Sequence, residues 1–145
     1  MKHMSKKIWM ALVMVGALAS PTLAQDACKY VTKEEVSAIA GFQVDVATPQ
    51  TLPGATACVY GAKTQSSVQV RTYTGEAAAH AEVMCKGGQA VSGLGDKACT
   101  VSHGPASTLT VMKGGTALAV IWFKPLKPNP EEVLKQIAEK ALARM

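Results

Sequence analysis

Apolar positions along this chain change their period several times, and each change marks an element. Thr32 and Glu35 are spaced as a capping box, Val36, Ile39 and Ala40 follow on one face, and Gly41 closes the run. That order predicts a helix. Phe42-Gln43-Val44-Asp45-Val46 alternates and predicts a strand, and Thr51 to Ala55, with Pro53-Gly54, predicts a turn or loop. Cys58-Val59-Tyr60 belongs to a second strand and Ser66 to Tyr73 to a third. The Ala-rich stretch from Glu76 to Lys86 predicts a second helix with a thin apolar stripe, ending at Gly87-Gly88.

The second half repeats the rhythm. Val91-Ser92-Gly93-Leu94-Gly95-Asp96 predicts a turn leading into a short strand from Ala98 to Ser102. Ser107 to Met112 and Thr116 to Phe123 are strands joined at Lys113-Gly114-Gly115, a hairpin signal. The last of these is apolar on both faces, so a central position covered on both sides is expected. Beyond Pro125 and Pro128, Asn129 stands as the cap of a final helix with Pro130 at its first position and Glu131 and Glu132 in its first turn. Val133, Leu134, Ile137, Ala138, Ala141 and Leu142 make one apolar stripe along it.

The predicted order is α-βββ-α-βββ-α. Strands joined by short connections form an antiparallel sheet, and the helices must cover at least one of its faces, so the expected class is α+β. The two αβββ halves share an order of elements but no matching residues.

The N-terminus changes the arithmetic. Lys2, Lys6 and Lys7 precede an apolar run from Ile8 to Ala19, and Thr22-Leu23-Ala24 places small residues at the cleavage positions of a secretory signal. The expectation is a signal peptide over 1–24, cleavage after Ala24, and a single exported domain over 25–145, periplasmic or secreted. Gln25, Asp26 and Ala27 before Cys28 do not form the apolar-small tripeptide of a lipid-attachment signal. The apolar run is too short for a membrane span.

Of the 145 residues, 48% are hydrophobic, which excludes a disordered chain, and the formal net charge is +5. Three of the fifteen basic residues lie in the leader, which holds no Asp or Glu; the remaining 121 residues carry twelve basic and ten acidic side chains, a net of +2. The basic character is a targeting feature, and basic and aromatic residues are not interleaved, so nucleic acid is excluded as a partner.

Cys28, Cys58, Cys85 and Cys99 all follow the leader, and an even count in a small exported chain implies disulfides. Of three possible pairings, the sequential one, Cys28–Cys58 and Cys85–Cys99, leaves two independent loops and is favoured. The cysteines lack the C-x-x-C or C-x-x-H spacing of structural zinc.

Other chemistry is thinly represented. Glu76, His80 and Met84 fall on one helical face and, with His103, offer imidazole and thioether ligands, but a solvated helix face is the expected reading. Gly93-Leu94-Gly95-Asp96 precedes a strand rather than a helix, so it is a turn and not a phosphate cradle. Ser102 and His103 are adjacent, so in a strand they point to opposite faces and cannot form a triad with Asp96. The acidic pairs at 34–35 and 131–132 suit helix N-termini. No cofactor is expected.

Asp26-Ala27-Cys28-Lys29-Tyr30-Val31-Thr32-Lys33-Glu34-Glu35-Val36 with Gly41, then Cys58-Val59-Tyr60, and later Val91-Ser92-Gly93-Leu94-Gly95-Asp96-Lys97-Ala98, resemble a family of small bacterial exported domains of unknown function, many of them lipoproteins. The resemblance covers most of the chain after the leader. It implies an α+β fold with the first two cysteines paired, and it carries over no catalytic residue.

The functional expectation is a non-enzymatic binding or interaction module of the cell envelope, the alternative a periplasmic small-molecule or metal-binding protein. The partner would be an envelope protein or a small ligand. Strand alternation puts Val68, Val70, Leu109 and Val111 on a packed face and Gln69, Arg71, Tyr73, Thr108, Thr110 and Met112 on the other, which is the expected partner surface.

Overall fold

A computed structural model describes residues 27–63 and 65–145; the expected signal peptide and cleavage after Ala24 lie outside the described residues. A 3-10 turn, Ala27–Lys29, precedes helix α1, Lys33–Ala40. The capping box forms as expected: Glu35 N–H donates to Thr32 Oγ1 at 3.2 Å, and Thr32 N–H donates to Glu35 Oε2 at 2.9 Å. Gly41, at φ +78°, ends the helix in the left-handed conformation that glycine adopts without strain.

Strands β1 (Val46–Leu52), β2 (Ala55–Gly61) and β3 (Ser67–Thr74) follow, then helix α2 (Glu76–Val83). Strands β4 (Gln89–Val91), β5 (Lys97–His103), β6 (Ala106–Lys113) and β7 (Thr116–Phe123) complete the sheet, and helix α3 (Pro130–Leu142) ends the fold. The seven strands lie in the order β1-β2-β3-β7-β6-β5-β4, every pair antiparallel. The α+β class stands.

Several expectations need correction. The order is α-βββ-α-ββββ-α, because β4 adds a three-residue edge strand at Gln89-Ala90-Val91, too short and polar to leave a period. The first strand begins at Val46, not Phe42. The alternation over Phe42–Val44 is one of burial: Phe42 stacks on Trp122 with ring centroids 6.4 Å apart, and Val44 N–H bonds the Ser37 hydroxyl at 2.9 Å instead of a strand. The expected loop at Thr51–Ala55 shrinks to Pro53-Gly54 between β1 and β2. Pro49 within β1 is tolerated because β1 is an edge strand. Helix α2 stops at Val83 instead of Lys86, and 84–88 continue as turns that bring Cys85 onto β5. Asn129 occupies the cap position of α3 without a side-chain bond, so Pro130 at the first turn sets that start.

The main core lies between one sheet face and the helices α1 and α3. Val68, Val70, Leu109, Val111, Leu118 and Val120 meet Val36, Leu134 and Ile137 there, all fully or almost fully buried. On the opposite face α2 covers only one end, setting Ala78 and Ala81 against Tyr73, Met112 and Ala117. Strand β7 is fourth of seven and buried along nearly its whole length, as its doubly apolar sequence requires.

Both disulfides form in the sequential pairing, and none of the four cysteines is free. Cys28–Cys58 ties the N-terminal turn to β2, and Cys85–Cys99 ties the segment after α2 to β5. The second compensates for a short helix with little apolar surface of its own.

Candidate functional site

The strand register places all six expected surface residues on the sheet face that carries α2. Gln69, Arg71 and Tyr73 stand on β3, opposite Ile121, Ala119 and Ala117 of β7, which in turn oppose Thr108, Thr110 and Met112 of β6. Their exposure is uneven. Gln69 and Thr110 are buried, Arg71 and Thr108 are partly exposed, and Tyr73 and Met112 are engaged by α2.

Arg71 is the centre of this face. Its neighbours across the strands are Ala57 and Ala119, both small. By strand parity the face carries no Asp or Glu on any of its strands. Arg71 Nε is buried and has no hydrogen-bond partner among the described residues. Gln69 Nε2 reaches Gln50 Oε1 on β1 at 3.4 Å.

A second feature lies on the helix side, where the apolar core runs out before the sheet does. Thr51, Thr56 and Thr72 form one cross-strand row, and Thr74 and Thr116 pair in the next. Tyr30 and Met145 line a groove of about 420 Å³ together with these threonines. Thr56 and Thr72 share a hydrogen bond of 2.7 Å, and Thr116 Oγ1 donates to the Lys113 carbonyl at 2.8 Å. No charged side chain lines the groove, and Tyr73 borders both it and α2.

Beside the groove, Arg144 links the Tyr30 segment to α1. The Arg144 guanidinium donates to both Glu35 carboxylate oxygens at 2.6 and 2.7 Å and to the Tyr30 carbonyl at 2.8 Å. The Arg144 hydrogen bonds, with the Thr32 amide second, pull the Glu35 carboxyl from its ordinary 4.5 down to about 2. One contact thereby ties the start of α1, the Tyr30 backbone and the chain beyond α3.

Sequence reasoning missed this groove. The signal was there in the threonines, which continue the parity of the core positions past Val70 and Leu118 with hydroxyls instead of methyls.

The remaining constellations do not assemble. His80 and Met84 are exposed at α2, while His103 lies at the opposite end of β5 from Lys97, whose ammonium pairs with Glu82 beside α2 at 3.1 Å. Lys97 and His103 stand six residue steps apart along the strand, about 20 Å. Among the described residues no group of three or more His, Cys, Asp or Glu side chains is placed to hold a metal. Asp96 precedes β5 and is engaged elsewhere, its Oδ2 accepting from Gly114 N–H at 2.7 Å, so it does not meet Ser102 or His103. The Gly93-Leu94-Gly95-Asp96 turn packs Leu94 into the core and lays Asp96 N–H on the Met112 carbonyl at 2.8 Å. It is a brace for the β6–β7 hairpin.

No helix among the described residues is long and apolar enough to cross a membrane. No protein-family model matches the chain, and no curated protein matches it.

Proposed function

We propose that this chain is an exported, non-enzymatic binding module of the cell envelope that meets an acidic protein partner through the sheet face around Arg71. The carrying observation is the partly exposed Arg71 on strands that carry no carboxylate, its buried Nε without a hydrogen-bond partner among the described residues. A buried donor without an acceptor costs roughly 1–3 kcal/mol. A partner carboxylate would meet the part of the Arg71 side chain that remains exposed and supply the opposite charge. The disulfide pair suits an oxidising compartment, and the leader-like N-terminus and the resemblance to exported domains support the same placement. Two stapled layers lose little freedom on binding, which favours recognition by a preformed surface.

The test compares proteins cross-linked to the wild-type chain in envelope extract with those cross-linked to Arg71→Ala. A partner held by this face is lost from the variant. Measured against that partner, Arg71→Ala and Tyr73→Ala should each weaken binding by roughly 1–2 kcal/mol. Unchanged affinity in the double variant, with the circular dichroism intact, refutes the surface. Mass spectrometry of the envelope fraction should find a chain beginning at Gln25 without acyl groups; a lipidated chain starting at Cys28 refutes soluble export.

A further inference from the structure

We propose that the threonine groove between Tyr30 and Met145 binds an uncharged, hydroxyl-rich ligand, a neutral sugar ring. The site lies on the helix side of the sheet and does not depend on the Arg71 reading. Its volume, about 420 Å³, falls within the roughly 300–1,000 Å³ of small-molecule sites.

Charge decides the first part of the ligand's chemistry. With no basic side chain in the lining, an anionic ligand would surrender its hydration for no counter-ion. Hydroxyl accounting decides the second. The Thr56–Thr72 bond uses one of that pair's two protons, leaving the other to donate and lone pairs to accept. Thr116 has committed its proton to Lys113 and can only accept. Thr51 and Thr74 are exposed, with no side-chain partner among the described residues.

A wholly apolar ligand would bury these hydroxyls unsatisfied. A ligand with groups that both donate and accept satisfies them, and the apolar walls at Tyr30 and Met145 call for a carbon-rich face on the same molecule. A sugar ring has both. The Arg144 contacts hold the Tyr30 backbone before any ligand arrives, so that wall needs little ordering on binding.

The experiment is an amide NMR titration of the exported protein, disulfides intact, with N-acetylglucosamine and glucose. Glucosamine and glucuronate serve as the cationic and anionic counterparts, and blocked trialanine as a neutral peptide. Saturable shifts confined to 51, 56, 72, 74, 116 and the Tyr30 amide are expected for a neutral sugar. Thr56→Val with Thr72→Val keeps the shape and the fold and should weaken that binding by about tenfold, the loss of about one hydrogen bond's worth. Arg71→Ala should leave the titration unchanged, which separates this site from the partner surface. The proposal is overturned if no neutral sugar saturates the groove, if a charged sugar or the peptide binds as tightly, if the double valine variant binds sugar equally well, or if Arg71→Ala abolishes the shifts.

Discussion

The indole Nε1 of Trp122 donates to the hydroxyl of Ser66 at 3.0 Å, joining the end of the central strand to the residue that precedes β3. Trp122 is fully buried and Ser66 nearly so. The same hydroxyl lies 3.3 Å from the Phe123 carbonyl and 3.1 Å from that of Lys124, either of which can take its proton. Ser66→Ala leaves a buried N–H without an acceptor and should destabilise the fold by about 1–3 kcal/mol. Urea unfolding followed by the emission of Trp122 measures this directly, and an unchanged midpoint would mean that another acceptor replaces Ser66.

Acid should loosen the Arg144 clamp over a defined range. The folded-state carboxyl of Glu35 titrates near 2 against an ordinary 4.5, chiefly because Arg144 bonds its ionised form. A depressed value contributes stability that is fully present above the ordinary titration range and is lost as pH falls toward the folded one. Melting temperature should therefore decline between about pH 5 and pH 2, and more shallowly in Glu35→Gln, which keeps the shape but carries no charge. Parallel acid limbs in the two proteins would remove the clamp from the account.

The Cys85–Cys99 bond substitutes for packing that α2 lacks. Replacing both cysteines by Ser should cost about 3 kcal/mol on the chain-entropy account of a loop this short. Amide exchange would then rise first in α2, ahead of the main core. Exchange that accelerates uniformly across the sheet would contradict a local role.

Gly95 sits at φ +55°, and a Cβ there would stand 2.5 Å from the Met112 carbonyl oxygen. Gly95→Ala combines a strained backbone with a clash against another strand and should cost about 2 kcal/mol or more. Thermal unfolding is the check, and a variant as stable as the parent would show that the brace can shift.

What was legible in the chain follows from where burial is one-sided. Val68, Val70, Leu109 and Val111 alternate with polar neighbours, so the faces of β3 and β6 could be read directly. Thr116 to Phe123 has apolar residues on both parities, so its central place could be read too. The cysteine pairing followed from the simplest connectivity. Strand β1 escaped because its exposed edge carries no hydrophobic alternation and contains Pro49, and β4 because it exists only through pairing with β5. The groove escaped for another reason. The Thr51–Thr56 hairpin pair meets Thr72, and Thr74 meets Thr116, only through register, while Arg144, next to Met145, reaches Glu35 across the fold.

The distribution of the two disulfides has a consequence for how the chain can be divided. Cys28–Cys58 lies wholly before Gly75, and Cys85–Cys99 wholly after it, so no covalent link other than the backbone crosses that exposed point. The β3–β7 ladder and the packing of α1 on α3 join the two sides without bonds. A protease nick at Gly75 would leave two separately cross-linked fragments that travel as one particle in native buffer and as two in denaturant. Expressed apart, such fragments would be each other's missing half-sheet, a split protein whose reassembly is reported by the burial of Trp122.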